Sequence, residues 1–284
     1  MNFNPNEVYL EVEDYSVSRE KFQLLHNAEY DILKTHPQPG LDVLGKYYES
    51  EDYISHTDGK RSLFEKVYHV VKTKNLSDKV KLITKVNAGF GRVLDIGCGT
   101  GDFLSVAKSV GWQTVGFEPN EKARNLALNK NVELIENTSD LPDASFDVIT
   151  MWHVLEHVPD VQAQIAELKR LVKDDGIIII AVPNFKSFDA KHYGNYWAAF
   201  DVPRHLWHFS KTSIKKLVEE KEMKLDKIEP MSFDSYYVSL LSEKYKTGKM
   251  NPIKAFWIGF KSNYNAIKTK EYSSHIYIVK NRIY

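Results

Sequence analysis

The sequence predicts an α/β protein of the Rossmann-like class, a mostly parallel sheet with helices on both faces. Three observations predict it. Between Gly91 and about Pro183, short apolar runs alternate with amphipathic helical stretches, which is the rhythm of consecutive βαβ units. The run Ile177–Val182 is apolar at every position, as a strand covered on both faces must be. And Arg92–Asp102 passes from an apolar run through Asp95 to three alternate glycines, Gly97, Gly99 and Gly101, before a helical pattern opens at Phe103. That last segment reads as a strand, a tight turn and a helix N-terminus, with side chains removed so that a ligand can approach the backbone.

The elements follow in order. Arg92–Ile96 is the first strand and Phe103–Val110 the first helix. Gln113–Phe117 is a second strand ending at Glu118-Pro119-Asn120, and a helix with Ala123, Leu126 and Ala127 on one face follows it. Val132–Ile135 and Phe146–Met151 are the third and fourth strands. Val161, Ile165, Leu168 and Leu171–Val172 have helical spacing, and Asp174-Asp175-Gly176 turns into Ile177–Val182. Right-handed crossovers leave few topologies for such a series. Pro183–Phe209 is aromatic-rich, irregular and too long for an ordinary connection, so it reads as a functional insertion. Beyond it come a helix (Lys211–Lys221), a strand (Leu225–Phe233), a mixed helical segment and a final strand (His275–Val279). Residues 1–88 lack the βαβ rhythm. Their helical stretches, about Ser62–Lys74 and Asp78–Lys85, and an aromatic, polar segment at Tyr47–His56 predict an N-terminal helical cap on a second unit, residues 89–284.

Composition narrows the function classes. Lys+Arg and Asp+Glu are both 38 in 284 residues, so no global charge favours a polyanion, and nucleic acid is not expected as a partner. Cys98 is the only cysteine, which excludes a disulfide framework or a thiolate zinc cluster and fits a reducing cytoplasm. The polar, acidic N-terminus is wrong for a secretory signal, and Ile177–Val182 is too short to span a bilayer. The expectation is a cytoplasmic protein without membrane insertion, monomeric or homodimeric.

The glycine turn admits two nucleotide readings. A dinucleotide turn needs G-x-G-x-x-G with pyrophosphate on the helix N-terminus. Here Gly97-x-Gly99-x-Gly101 is one residue short, and the Asp102 carboxylate at the helix start opposes a phosphate while tolerating an amine and a sulfonium. Glu118, about twenty residues on, is placed to accept hydrogen bonds from both ribose hydroxyls. No Gly-Lys-Ser/Thr follows, so a P-loop is excluded.

On these residues the chain resembles the class I S-adenosylmethionine-dependent methyltransferases. The likeness runs from Asp95–Gly101 and Glu118 through Asp140-Leu141-Pro142 and Ser145-Phe146-Asp147 to His153–Val158 and Asp175-Gly176. It implies a seven-stranded sheet with the last strand antiparallel, and a cofactor lying across the ends of the first, second and fourth strands. Asp140–Phe146 is similar to a stretch of small-molecule methyltransferases, those of ubiquinone and menaquinone biosynthesis among them. Asp201–Ser210 resembles the signature of one bacterial branch often found near surface-polysaccharide genes, though the cysteine pair common there is lacking.

The resemblance assigns Asp95, Gly97, Cys98, Gly99, Gly101, Glu118 and Pro119 to the cofactor, with Asn137 and Thr138 near adenine and Met151 and Trp152 packing on it. Methyl transfer is an in-line displacement, so the protein mainly positions both partners and excludes water. An oxygen acceptor also needs a base near neutral pH, for which His153, His205 and His208 are candidates. Asp201 and Arg204 would orient that base or bind the acceptor, and Tyr236 and Tyr237 would line the pocket or pack. His153, Glu156 and His157 stand where related enzymes hold a divalent cation with Glu-x-x-Glu-His. His153 replaces the first glutamate, so the expectation is no metal. The absence of Asn/Asp-Pro-Pro-Tyr/Phe after the fourth strand disfavours amino-group methylation of bases or glutamine. The expected activity is methyl transfer from S-adenosylmethionine, releasing S-adenosylhomocysteine, to an oxygen of a sugar precursor or a quinone or phenol. A non-catalytic protein of this fold, or a nicotinamide oxidoreductase, is the alternative.

Overall fold

The computed structural model describes residues 1–40, 43, 45–48 and 63–281. Its elements are β1 (Val8–Glu13), β2 (Lys21–Asn27), β3 (Ile32–His36), α1 (Leu63–Val86), β4 (Arg92–Ile96), α2 (Asp102–Ser109), β5 (Gln113–Phe117), α3 (Glu121–Leu128), β6 (Glu133–Ile135) and β7 (Phe146–Trp152). After these come α4 (Val161–Leu171), β8 (Val172–Pro183), α5 (Phe188–Tyr193), β9 (Trp207–His208), α6 (Lys211–Glu219), β10 (Met223–Pro230), α7 (Asp234–Thr247), α8 (Pro252–Thr269) and β11 (Ser274–Asn281).

Seven strands form the main sheet in the order β10-β11-β8-β7-β4-β5-β6. The five strands from β6 to β8 are parallel, while β11 runs antiparallel to both β8 and β10. Alternate residues of single strands go to opposite cores, as the two-residue strand period requires. Leu94, Ile149, Ile178 and Ile180 pack with α4 and α6. Val93, Val148, Ile177 and Ile179 pack with α2 and with Val80 and Ile83 of α1. The two helical stretches expected before Gly91 are one helix of 24 residues. Strand order reverses beside β4, the switch point where a doubly wound sheet opens a crevice at its carboxyl edge.

The N-terminal cap is not helical throughout. Its first 36 residues form the antiparallel meander β1-β2-β3. β2 alternates buried and exposed side chains, the period of a half-buried strand. Asn27 fixes the second turn by accepting the Tyr30 amide at 2.9 Å. In the first turn Asp14 accepts the amides of Ser16, Val17 and Ser18 at 2.8 to 3.2 Å. The insertion supplies β9, which pairs with β3 and makes a four-stranded second sheet. Of the aromatic segment Tyr47–His56, everything beyond Tyr48 lies outside the described residues.

Candidate active site

The cleft opens where β4 and β7 end. It holds about 270 Å³ and is lined by Asp95, Gly97, Cys98, Gly99, Thr100, Asp102, Phe103 and Trp152, with Lys72, Asn75, Leu76 and Lys79 facing it from α1. The four α1 residues follow helical spacing, so one face of that helix forms a wall.

All three glycines of the turn have positive φ, which favours residues without a Cβ. Their reasons differ. A Cβ on Gly97 would stand 2.5 Å from Val154 Cγ2, whereas a Cβ on Gly99 would meet nothing within 4 Å and would project into open space. Gly97 therefore serves packing, whereas Gly99 leaves open space beside the backbone. The Gly99 amide donates to Glu118 Oε2 at 2.8 Å, and the Asn120 amide donates to Glu118 Oε1 at 2.9 Å. The carboxylate is thus clamped between turn and strand end, with acceptor capacity left on both oxygens.

Asp95 is buried and accepts the Thr150 hydroxyl at 2.6 Å. Burial lifts its carboxyl to a pKa of about 7, against the lowering effects of Thr150 and Lys79. Lys79, which the sequence reading missed, sits 4.4 Å from the centre of the Trp152 ring, where burial lowers its pKa despite Asp95 and Asp234 nearby. Its position in the α1 helical pattern marked a helix and gave no sign of which face met the turn. Trp152 also meets Phe103 edge-on, and its Nε1 is buried without an acceptor. Burial raises the Cys98 thiol to about 12, so it is an inert turn residue.

Asp102 is not the lone charge that its sequence position implied. Lys130 and Lys72 pair with it at 2.6 and 2.7 Å, and they outweigh burial to lower its pKa. Phosphate exclusion therefore cannot rest on Asp102. Met151 lies wholly in the core and lines nothing. Pro119 and Asn137 are exposed, and Asn137 and Thr138 fall outside the cleft lining, the Thr138 carbonyl accepting from Arg170 at 3.0 Å.

The acceptor side needs more correction. His153 has a left-handed backbone (φ 58°) and lies between Glu156 at 3.5 Å and Asp234 at 3.2 Å. Burial alone would lower its pKa, but the two carboxylates raise it to about 10. An imidazolium at neutral pH has no lone pair for a proton, so His153 is not the base. His208 is fixed in the second sheet, its Nε2 3.0 Å from the Thr35 hydroxyl, and burial keeps it neutral; it is structural. Arg204 binds Asp14 at 2.9 Å and Asp201 at 2.8 Å and donates to the Tyr47 carbonyl, a buried ion triad that ties the insertion to the meander. Arg204 is engaged within the triad, while the Asp201 side chain remains partly exposed. Tyr236 stacks on Phe256 and Tyr237 is exposed on the same helix, so neither lines the cleft.

His205 is also buried and lies outside the cleft lining. Its Nδ1–H donates to the Ala199 carbonyl at 2.9 Å, which leaves the lone pair on Nε2. Burial and then the neighbouring His157 lower its pKa to about 4, so it is neutral at pH 7. His157 likewise bonds the Arg204 carbonyl through Nδ1. Glu156 is 1% exposed, and neither of its oxygens accepts a hydrogen bond. Ligand atoms of Glu156, His157 and His205 lie within 4.8 Å of one another. Carbonyl-anchored imidazoles beside a buried carboxylate that accepts no hydrogen bond suit a divalent cation, in a set that includes His205 and leaves His153 as the ion-pair partner of Glu156.

The polar groups in and beside the cleft fit S-adenosylmethionine part by part. Glu118, outside the cleft lining but bonded to the Gly99 amide that lines it, suits a ribose diol, Asp95 an ammonium, the Lys79 ammonium a carboxylate, and Gly99 the close approach of a nucleoside to the backbone. Comparisons with known proteins agree. Over 121 residues the chain is 36% identical to a ubiquinone biosynthesis O-methyltransferase of Vibrio atlanticus, covering 38% of this chain and 51% of that protein. It is 32% identical over 128 residues to the enzyme of the same name from Rhodopseudomonas palustris, covering 41% and 51%. The chain thus spans about half the length of the curated relatives it matches. A SAM-dependent methyltransferase from Archaeoglobus fulgidus shares the fold at a TM-score of 0.52 and 20% identity, covering 73% of this chain and 93% of that one. A family model described as a methyltransferase domain matches residues 68–227, more than half the chain and the whole stretch from the cleft-facing part of α1 into β10. By that match, and by the glycine turn it contains, the chain belongs to the methyltransferase-domain family.

Proposed function

We propose that the protein transfers the methyl group of S-adenosylmethionine to an oxygen of a small acceptor, a phenol or quinol before a sugar hydroxyl. The observation that carries the cofactor is the Glu118 carboxylate, held by the Gly99 and Asn120 amides beside a turn left open at Gly99. S-adenosylmethionine supplies an electrophilic methyl on a sulfonium. What remains for the chain is to bind, orient and accept a proton. Glu118 takes the ribose diol, Asp95 the amine and Lys79 the carboxylate. Trp152, edge-on to Phe103, lines one side of the cleft. The N-terminal meander and the 183–209 insertion wall the acceptor side. There His205 Nε2 would receive the acceptor proton; with a pKa of about 4 it is a weak base, so the proton leaves as the methyl group is bonded and the acceptor oxygen becomes strongly acidic. The preference for a phenolic oxygen rests on the names of the relatives alone.

One observation favours a second reading of the proton step. Glu156, buried, paired with His153 through Oε1 at 3.5 Å and accepting no hydrogen bond, would with His157 and His205 hold a divalent cation. Such a cation supplies Lewis acidity that lowers the pKa of an acceptor hydroxyl.

The test is a methyl-transfer screen with labelled cofactor against catechols, other phenols, quinols and nucleotide-sugars. Label in a phenolic product supports the reading, and label only in a sugar redirects the acceptor. His205→Ala should lower turnover while cofactor affinity stays unchanged; unaltered turnover removes His205 from the chemistry. Loss of turnover after chelation and dialysis, restored by a divalent cation, selects the second reading.

A further inference from the structure

We propose that the outer face of α8 is a docking surface for an anionic lipid bilayer, on which the helix lies parallel to the membrane plane. The packing of α8 is inverted. Its buried face is Ala255, Ile258, Gly259, Ser262 and Ala266, mostly small residues, and a Cβ on Gly259 would come within 2.8 Å of the Tyr236 ring. The large side chains stand outside. Ile253, Phe256, Trp257, Phe260, Tyr264 and Ile267 are between 45% (Phe260) and 75% (Ile253) exposed. They recur at i, i+3, i+4, i+7, i+11 and i+14, one continuous stripe opposite the buried seam. Soluble surfaces rarely leave such a stripe uncovered.

Charge selects the occupant. Residues 244–270 contain seven lysines and no Asp or Glu, in a chain whose formal net charge is zero. Glu243, just before them, is buried and takes Lys254 at 3.0 Å. Lys254, Lys261 and Lys268, seven residues apart, form a row along one edge of the apolar stripe. Aromatic and aliphatic side chains bordered by lysine are the pattern of a helix that seats in the headgroup region of an anionic leaflet. A two-fold dimer that pairs the helices antiparallel with their lysine edges on the same side would bring Lys261 and Lys268 of one copy near those of the other, a repulsion that an anionic surface does not meet. Among the described residues no helix is long and apolar enough to cross a membrane, so α8 lies on the surface. The surface continues toward the cleft. Phe233 and Tyr237 are exposed at the start of α7, where Asp234 pairs with His153.

The experiment is co-sedimentation of the full chain with vesicles of phosphatidylglycerol and phosphatidylcholine, and with vesicles of phosphatidylcholine alone. Expected is binding to the mixed vesicles at least about tenfold tighter than to neutral ones, with the preference lost at about 0.5 M salt. Trp257→Glu with Phe260→Glu, and separately Lys261→Glu with Lys268→Glu, should each weaken binding about tenfold. All four side chains are exposed, so circular dichroism and the melting temperature should stay unchanged. Equal partition onto both vesicle types, or full binding by both variants, overturns the proposal. So does absence of lipid binding, which leaves the face to a protein partner. Self-association by light scattering that Trp257→Glu with Phe260→Glu abolishes would also overturn it, because the face would then be an interface between copies.

Discussion

At the scale of single residues, the histidines and charges of the insertion divide by what holds them. Arg204 reads in the sequence as a group for an acceptor, yet it neutralises Asp14 and Asp201 in the interior. Removing it leaves two carboxylates without their cation. Arg204→Ala should therefore cost about 3–5 kcal/mol of stability by denaturant unfolding. Unchanged stability with a raised acceptor KM would return Arg204 to the acceptor. His153 shows the same division. Its pKa rises from 6.5 to about 10 because Asp234 and Glu156 favour the cation in the folded state. The stabilisation is then fully present below pH 6.5 and is lost as pH climbs toward 10. A third of the imidazole is open to water, so the loss is on the order of 1 kcal/mol. Unfolding free energies of wild type and His153→Gln compared at pH 6 and pH 10 should differ in this sense, and parallel curves would rule out the charged pair.

At the scale of elements, the glycine turn contains positions with opposite functions. Gly97→Ala drives a methyl into Val154 and should destabilise the fold by about 1–3 kcal/mol. Gly99→Arg faces open space at a positive φ, so it should cost about 1–2 kcal/mol while abolishing cofactor binding. Equal loss of folding in both, by melting and by calorimetry, would contradict the division. The strand end beside it carries a pH signature. With Asp95 at about 7, an ammonium ligand binds its ionised form, so affinity should fall about tenfold per pH unit below 7. Asp95→Asn should flatten that profile, and a flat wild-type profile would take Asp95 away from the amine. The βαβ core was legible because strands apolar on both faces and helices of period 3.6 leave distinct patterns. β5 coincides with the expected Gln113–Phe117. The meander was less legible. Its strands are short and half-buried, although the alternation in β2 and the turn-forming Asp14 and Asn27 were signals within reach.

At the scale of the molecule, the two sheets have different tasks. The seven-stranded sheet fixes the cofactor cleft from local motifs, which is why Asp95, Gly97, Gly99 and Trp152 could be named from sequence and meet in the lining. The acceptor side is assembled from distant segments. β9 adds to the N-terminal meander, His205 meets Glu156 and His157 across some fifty residues, and Lys79 arrives from α1. Such contacts leave no periodicity, so the roles of His153, His208 and Arg204 could not be told apart before folding. The central claim is that this cleft binds a sulfonium nucleoside through Glu118. Titration calorimetry of the purified protein with S-adenosylhomocysteine and, in parallel, with NAD tests it most directly. One equivalent of S-adenosylhomocysteine should bind, with no heat from NAD and with loss of the signal in a folded Glu118→Ala variant. Saturable binding of NAD alone, or of neither ligand, would contradict it.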